Sequence, residues 1–399
     1  MKVLVHDFSG HPFQAQLSRE LARRGHDVVH SYCAAYVGGK GKLEARPDER
    51  VVFEPISVGR RIRKTSFARR LVTEIQIGFD LARQARRVKP DVVMVSTTPV
   101  PSMVVLAAVL WLRRTPWVLW HQDIQAVAIK SFAGAALSRM FLVAGQLIGY
   151  GERWGSRRAA AIVVIVESFL EVHRAWGTAE KATVIPNWAP LDEIYPVERK
   201  NDWAVEHGLD ETKTLTYSGT LGLKHNPALL VQLARHVIDQ GTPVRLVVVN
   251  EGPAVEVVRA EADRLDVPLT LLPFQPYGRL PEVLGSGDVL VVLLERTAGE
   301  FSVPSKTLSY LCAGRPVLGL MPPENLASVL VDRAGGCVLP PAEESLPAAA
   351  RWVTAVLADD QERALLGEQA RQLAEQEFRL ASCADRFESI LREAASGGA

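Results

Sequence analysis

The sequence predicts two doubly wound α/β domains, and three observations carry that expectation. Short Val/Ile/Leu-rich runs alternate with helical stretches along the 399 residues. The alternation runs its course once before Ala189–Lys200 and begins again after it, where Pro190, Pro196 and the polar run Glu198–Asp202 interrupt the pattern. Most of the runs are continuous rather than alternating, as in strands buried on both faces of a parallel sheet. Strand–helix alternation of this kind builds a parallel sheet with helices on both faces.

In the first half the predicted strands are Lys2–Val5, Asp27–Tyr32, Val51–Pro55, Val92–Ser96, Trp117–His121, Ala161–Glu167 and Thr183–Pro186. In the second half they are Thr214–Ser218, Val244–Asn250, Leu269–Pro273, Asp288–Leu294 and Pro316–Leu320. Helices fill the gaps, among them Phe13–Arg24 stopped by Gly25 and Pro227–Gln240 stopped by Gly241, each with glycine just past its end. From Asp359 onward the pattern reads as amphipathic helix, running into a Gly-rich tail. Ser102–Leu112 and Met140–Tyr150 are apolar but far shorter than the roughly 20 residues of a membrane span, so they read as buried core helices by default, with shallow interfacial insertion as the alternative because Trp111 is followed by Arg113 and Arg114.

Composition narrows the function classes. With 48% apolar and 23% charged residues the chain supports sizeable cores. Four cysteines without a Cys-x-x-Cys pair argue against a disulfide scaffold or structural zinc and fit a reducing compartment. The formal net charge of +1 conceals a split: residues 1–190 hold 27 Lys+Arg and 15 Asp+Glu, a net of +12, and the remainder a net of −11. The densest basic run is Arg60, Arg61, Arg63, Lys64, Arg69 and Arg70. It reads either as a solvated face or as a docking surface for acidic lipid head groups. Too few aromatics are interleaved for a single-strand nucleic-acid platform, so no nucleic-acid partner is expected.

Two segments carry the chemistry. In TLTYSGTLGLKHNP (Thr214–Pro227) a strand ends at Ser218, Gly219 and Gly222 permit a tight turn, and Asn226-Pro227 open a helix. Backbone N–H groups at a helix start attract anions, and Lys224 adds a full charge. The same logic recurs in EFSVPSKTLSYLCAGRPV (Glu300–Val317), where Pro304-Ser305 start a helix with Lys306 in its first turn. A lysine there is unfavourable on dipole grounds unless an anion neutralises it, and two such sites suggest a bound diphosphate. Neither segment is a P-loop, and Asp7-Phe8-Ser9-Gly10-His11-Pro12 after the first strand is not Gly-x-Gly-x-x-Gly, which disfavours an ordinary NTPase and a dehydrogenase.

The order of TYSGTLGLKHNP, VVVNEGP, LPFQPYGRLPEVLGSGDVLVVLL and VPSKTLSYLCAGRPVL resembles the nucleotide-binding half of retaining glycosyltransferases of family 4. ELARRGHDV, WHQDIQAVAI and VIPNWAP in the first half agree, so the resemblance covers nearly the whole chain. It implies the GT-B fold, two Rossmann-like domains facing a central cleft: residues 1–190 for the acceptor, 191–375 for the nucleotide sugar, and a C-terminal helix, 376–399, packing back on the first domain. It further implies that Lys224 neutralises the donor diphosphate, that Phe274 and Gln275 cradle the base, and that Glu300 touches the donor sugar. Gly10 approaches that sugar, and His121 or Asp123 faces the reaction centre.

There are departures from the family pattern. Thr220 replaces an arginine that often follows Gly219, and Ser309 aligns with the glutamate that usually grips the ribose, with Lys306 as a replacement charge.

The implied activity is transfer of a hexosyl or N-acetylhexosaminyl group, with retention, from a nucleotide diphosphate sugar to a lipid-linked or glycan acceptor in cell-surface glycan synthesis. It requires no metal or cofactor. The implied setting is the inner face of the cell membrane, with the protein cytoplasmic and peripheral. A sugar-nucleotide epimerase of the same fold and a non-catalytic donor-binding subunit remain open at this stage.

Overall fold

The computed structural model describes residues 1–35, 43–45, 47–57, 59, 67–126, 139–221, 226–252, 254–295 and 305–397. They form two compact units, one of Met1–Asn187 with Leu380–Ala399, the other of Trp188–Arg379.

The first unit is a seven-stranded parallel sheet of β1 (Lys2–Asp7), β2 (Asp27–Cys33), β3 (Val52–Ile56), β4 (Val92–Ser96), β5 (Trp117–His121), β6 (Ala161–Val164) and β7 (Ala182–Val184). Their spatial order is β3-β2-β1-β4-β5-β6-β7. The central strands are buried on both faces, which is why their sequences read as unbroken apolar runs. Helix Pro12–Arg23 starts with proline and is followed by Gly25 at φ +89°, a left-handed position that glycine fills without strain. The C-terminal helix Leu380–Gly397 covers the sheet beside it. Phe387 is fully buried with its ring centroid 4.6 Å from that of Trp120. Arg24 bridges Glu20 of its own helix to Asp385 and Glu388, and His26 Nε2 lies 3.0 Å from Glu388 Oε1.

The second unit is a six-stranded parallel sheet of β8 (Thr214–Ser218), β9 (Arg245–Val249), β10 (Leu269–Leu272), β11 (Val289–Leu293), β12 (Val317–Leu320) and β13 (Cys337–Leu339), ordered β10-β9-β8-β11-β12-β13. Strand β13, three half-buried residues long, is absent from the sequence reading. The terminal amphipathic stretch is two helices rather than one. Asp360–Glu377 packs on the second unit through Leu366, Ala370 and Ala374, and the chain breaks at Phe378–Arg379 before the last helix. The break is held by the buried Phe378, whose carbonyl accepts a hydrogen bond from Ala189 N–H at 2.8 Å.

The segments read as core helices are less buried than expected. Within helices Val100–Leu112 and Arg139–Arg158, Trp111, Leu112, Leu147 and Tyr150 are exposed. Among the described residues no helix is long and apolar enough to cross a membrane.

Five histidines, His6, His26, His30, His121 and His173, are buried in the first unit. His6 Nδ1 lies 3.1 Å from Ser31 Oγ and His30 Nδ1 2.8 Å from Ser18 Oγ. Burial pushes His6, His30 and His173 each down to about 3. The unfolded chain therefore binds protons that the folded chain does not between pH 6.5 and 3, so stability is lost as pH falls through that window. Urea titrations at successive pH values should show a loss of about 1.4 kcal/mol per pH unit for each histidine, and His30→Asn should flatten the slope.

Candidate functional site

In the second unit the strand order reverses between β8 and β11. Loops leaving the carboxyl ends of such a pair diverge, and this is where open parallel sheets bind ligands. The turn after β8 is held by two buried tyrosines. The Tyr310 hydroxyl accepts from Ser218 N–H at 2.8 Å and donates to Ser218 carbonyl at 3.1 Å. The Tyr217 hydroxyl donates to the Thr220 carbonyl at 2.8 Å. Between them Gly219 takes φ +135°, which a side chain would strain.

Lys306 reaches this turn from the first turn of helix Ser305–Cys312. Its Nζ donates to the Tyr217 hydroxyl and to the Thr220 carbonyl at 3.3 Å, and stands 4.1 Å from the Tyr217 ring centroid. Burial brings its ammonium down to about 7, with no carboxylate contributing. On the far side of the turn Asn250 Oδ1 accepts from Leu221 N–H at 3.0 Å, while the buried Asn250 amide nitrogen has no partner among the described residues. A half-buried cation and an unused donor beside one backbone turn make a site for an anion.

Further along the same edge, Phe274 is exposed, and its N–H donates to Glu251 Oε1 at 3.1 Å. The Gln275 amide is occupied: Oε1 accepts from Trp203 Nε1 at 3.2 Å and Nε2 donates to the Pro273 carbonyl at 3.0 Å. The structure thus brings Gly219, Thr220 and Lys306 into contact and sets Phe274 and Gln275 at the end of β10. Ser309 lies one turn after Lys306 on the same helix. Lys224, Glu300 and Pro304 lie outside the described residues, as does the Ser305 side chain. Sequence reasoning missed Tyr217, Tyr310, Asn250 and Glu251, although both tyrosines stand inside the quoted motifs.

The first unit places Gly10, His121 and Asp123 at the carboxyl ends of β1 and β5. Asp7, fully buried, accepts from Ser9 N–H at 3.1 Å, from His11 N–H and from the Thr97 hydroxyl, which folds the turn through Gly10 at φ +74°. Burial raises the Asp7 carboxyl, against the pull of Thr97 and His11. His121 has both ring nitrogens engaged: Nδ1 lies 3.2 Å from His173 Nε2, and Nε2 lies 3.1 Å from Glu152 Oε1. Asp123 is exposed, and its carboxyl is raised by lost solvation, lowered by His121 and His11 and raised again by Glu152. Among the described residues no group of His, Cys, Asp and Glu is arranged to hold a metal.

Residues 11–188 match the glycosyl transferase 4-like domain, and residues 199–373 match the glycosyl transferases group 1 domain. The chain is a family 4 glycosyltransferase. Among curated proteins it is similar to WcaI of Escherichia coli, named for colanic acid biosynthesis glycosyl transfer, at 27% identity over 270 residues. That match takes in 65% of this chain and spans 63% of the relative's length.

Solved structures of the same fold include Anabaena HepE in complex with UDP and glucose, with a TM-score of 0.71 at 16% identity over 98% of this chain and all of that one. Sucrose-phosphate synthase from Thermosynechococcus elongatus gives a TM-score of 0.70 at 14% identity over the whole of both chains. A Listeria monocytogenes protein named as a UDP-N-acetylglucosamine 2-epimerase gives 0.63 at 12% identity, over 98% of this chain and 95% of that one. At these identities the likeness establishes the two-domain GT-B fold of this glycosyltransferase and nothing finer.

Lys306 gives this candidate anion site a testable pH signature. An anion favours the charged lysine, so binding of a nucleoside diphosphate draws a proton onto it above about pH 7. Calorimetry with UDP should show affinity falling by up to about tenfold per pH unit above pH 7, with proton uptake. Lys306→Met should remove both the uptake and the slope.

Proposed function

We propose that the chain transfers a sugar, with retention, from a nucleoside diphosphate sugar to a lipid-linked or glycan acceptor in cell-surface polysaccharide synthesis. The single observation that supports it most is Lys306, a half-buried cation on the turn after β8 with no carboxylate partner among the described residues. Cleavage of the sugar–phosphate bond builds negative charge on the departing diphosphate. Lys306, the N–H groups of the 218–221 turn and Lys224 would meet that charge where it develops, ordinarily a large contribution to rate.

Phe274 and Gln275 would flank the base, and Glu300, Ser305 and Ser309 the sugar and ribose. The acceptor would bind the first unit, near Gly10, His121 and Asp123. Its hydroxyl proton leaves with the departing phosphate, so the scheme needs neither a carboxylate nucleophile nor a metal. The name of WcaI and the UDP–glucose complex of HepE support a polysaccharide setting and a UDP-type donor. The Listeria neighbour keeps epimerisation as the second reading, and product analysis separates the two.

A thermal-shift panel of nucleotide sugars tests the donor, because a ligand at 100 times its Kd stabilises the native state by about 2.7 kcal/mol. Lys306→Met should weaken nucleoside diphosphate binding by about tenfold or more, the scale of one charge-assisted hydrogen bond. Unchanged binding would remove the diphosphate site from this turn.

The lipid side of the proposal finds support on the first unit. Helices Phe67–Val88, Val100–Leu112 and Arg139–Arg158 pack side by side, and they expose Val72, Phe79, Trp111, Leu112, Leu147 and Tyr150. The middle helix carries no charge, while its neighbours carry five and four arginines against two and one acidic residues. An apolar centre with basic flanks fits an anionic bilayer surface. Arg60, Arg61, Arg63 and Lys64 of the basic run lie outside the described residues. Co-sedimentation should show binding to phosphatidylglycerol-containing vesicles and weak binding to phosphatidylcholine alone. Trp111→Ser with Leu112→Ser should weaken it by on the order of tenfold or more, from the apolar burial lost.

A further inference from the structure

The end of β5 is built on a buried carboxylate. Glu152, in the helix Arg139–Arg158, is 2% exposed. Its Oε1 accepts from Gln125 N–H at 2.9 Å and its Oε2 from Ala126 N–H at 3.0 Å. The same Oε1 lies 3.1 Å from Nε2 of His121, the last residue of the strand. On its other edge His121 Nδ1 lies 3.2 Å from His173 Nε2, and His173 Nδ1 lies 2.9 Å from the Thr178 hydroxyl. No arginine or lysine pairs with Glu152 among the described residues.

Hydrogen-bond logic fixes one end of this chain. An ionised carboxylate only accepts, so Nε2 of His121 must carry the hydrogen facing Glu152. Nδ1 is taken by His173, which burial keeps neutral. The His121 ring is therefore committed on both edges and has no nitrogen left for a substrate. The exposed polar group at this strand end is Asp123, two residues on. It lies between His121 and the Gln125–Ala126 turn, both of which Glu152 holds.

We propose that Asp123, not His121, is the group of this strand end that contacts the acceptor hydroxyl, and that Glu152 is the positioning residue that sets it there through His121 and the Gln125–Ala126 backbone. The assignment rests on the transferase reading above. Asp123 accepts a hydrogen bond from the hydroxyl and orients its lone pair. No bond to Asp123 forms and no proton is transferred to it. The charges facing it come from three elements: His121 at the end of β5, His11 in the turn after β1, and Glu152 in the helix Arg139–Arg158.

Because these groups act on Asp123 with opposite signs, a positioning role differs measurably from a merely structural one. Loss of the Glu152 charge lowers the pH at which Asp123 ionises, and loss of His121 or His11 raises it. The experiment follows the Asp123 carboxyl by ¹³C NMR in the full chain, in the parent and in Glu152→Gln, His121→Asn and His11→Gln. Expected are a downward shift for the first and upward shifts for the other two. His11→Gln, at an exposed position, keeps the test decisive if either buried substitution fails to fold.

In parallel, Asp123→Asn should lower kcat/KM for the acceptor by about 10- to 100-fold, the scale of a hydrogen bond to a charged group. It should leave nucleoside diphosphate binding unchanged. Full acceptor turnover in Asp123→Asn, or an Asp123 titration unmoved by all the variants that fold, overturns the proposal. Absence of turnover with every acceptor would instead defeat the transferase reading, while the titration still reports on the positioning chain.

Discussion

The contact of Lys306 with the turn after β8 governs the second unit. Withdrawing an ammonium from water is costly, and among the described residues that cost is offset only in part, by one phenol, one carbonyl and one aromatic face. The arrangement is coherent because the place where it sits is set by topology. Parallel strands deliver all their loops to one edge, and the reversal between β8 and β11 parts two of them there. A cation at that point is incompletely satisfied until an anion arrives. Tyr217 and Tyr310 keep the turn from collapsing onto it, since each hydroxyl is already committed to backbone groups of residues 218–220.

The first unit solves the same geometric problem with the opposite charge. Asp7 and Glu152 are carboxylates buried at the ends of β1 and beside β5, and both are satisfied chiefly by backbone N–H groups of the loops they hold. Neither pairs with lysine or arginine among the described residues, so these loops are fixed without surplus positive charge. In the proposed transferase scheme such loops would meet a neutral acceptor hydroxyl, and the Lys306 turn a diphosphate.

Legibility from sequence followed interaction range. Strands buried on both faces, such as β1, β4, β5 and β11, announce themselves as apolar runs. Half-buried strands are less legible: β7 and β13 are each three residues long and half-buried, and only β7 was expected. Gly219 and Lys306 were visible because turn chemistry and helix-start electrostatics are local. Glu152 is separated from His121 by 31 residues and His173 by 52, and Tyr310 lies 92 residues from Ser218. No periodicity links such pairs. A mid-helix glutamate and a mid-helix histidine read as ordinary surface residues until the sheet brings them to one strand end. The helix break at Phe378 was legible only through the family resemblance, which set a helix at 376–399 apart, because both flanking segments keep helical spacing and only their burial partners differ.

The charge split can now be given a physical location. The excess of +12 in residues 1–190 includes the arginines of the helices Phe67–Val88 and Arg139–Arg158, which flank an uncharged helix on one layer of the first sheet. Elsewhere in the first unit Arg24 and His26 meet Glu20, Asp385 and Glu388, which ties the C-terminal helix to its unit. On the flanking helices Arg70, Arg83 and Arg87 pair with Glu74, Asp80 and Glu54, and Arg158 lies over the rings of Trp111 and Trp154, so the basic excess there is only partly offset beside exposed Trp111, Leu112 and Tyr150. The proposed bilayer contact rests on the large apolar side chains that these helices leave in water, with the flanking arginines supplying its charge.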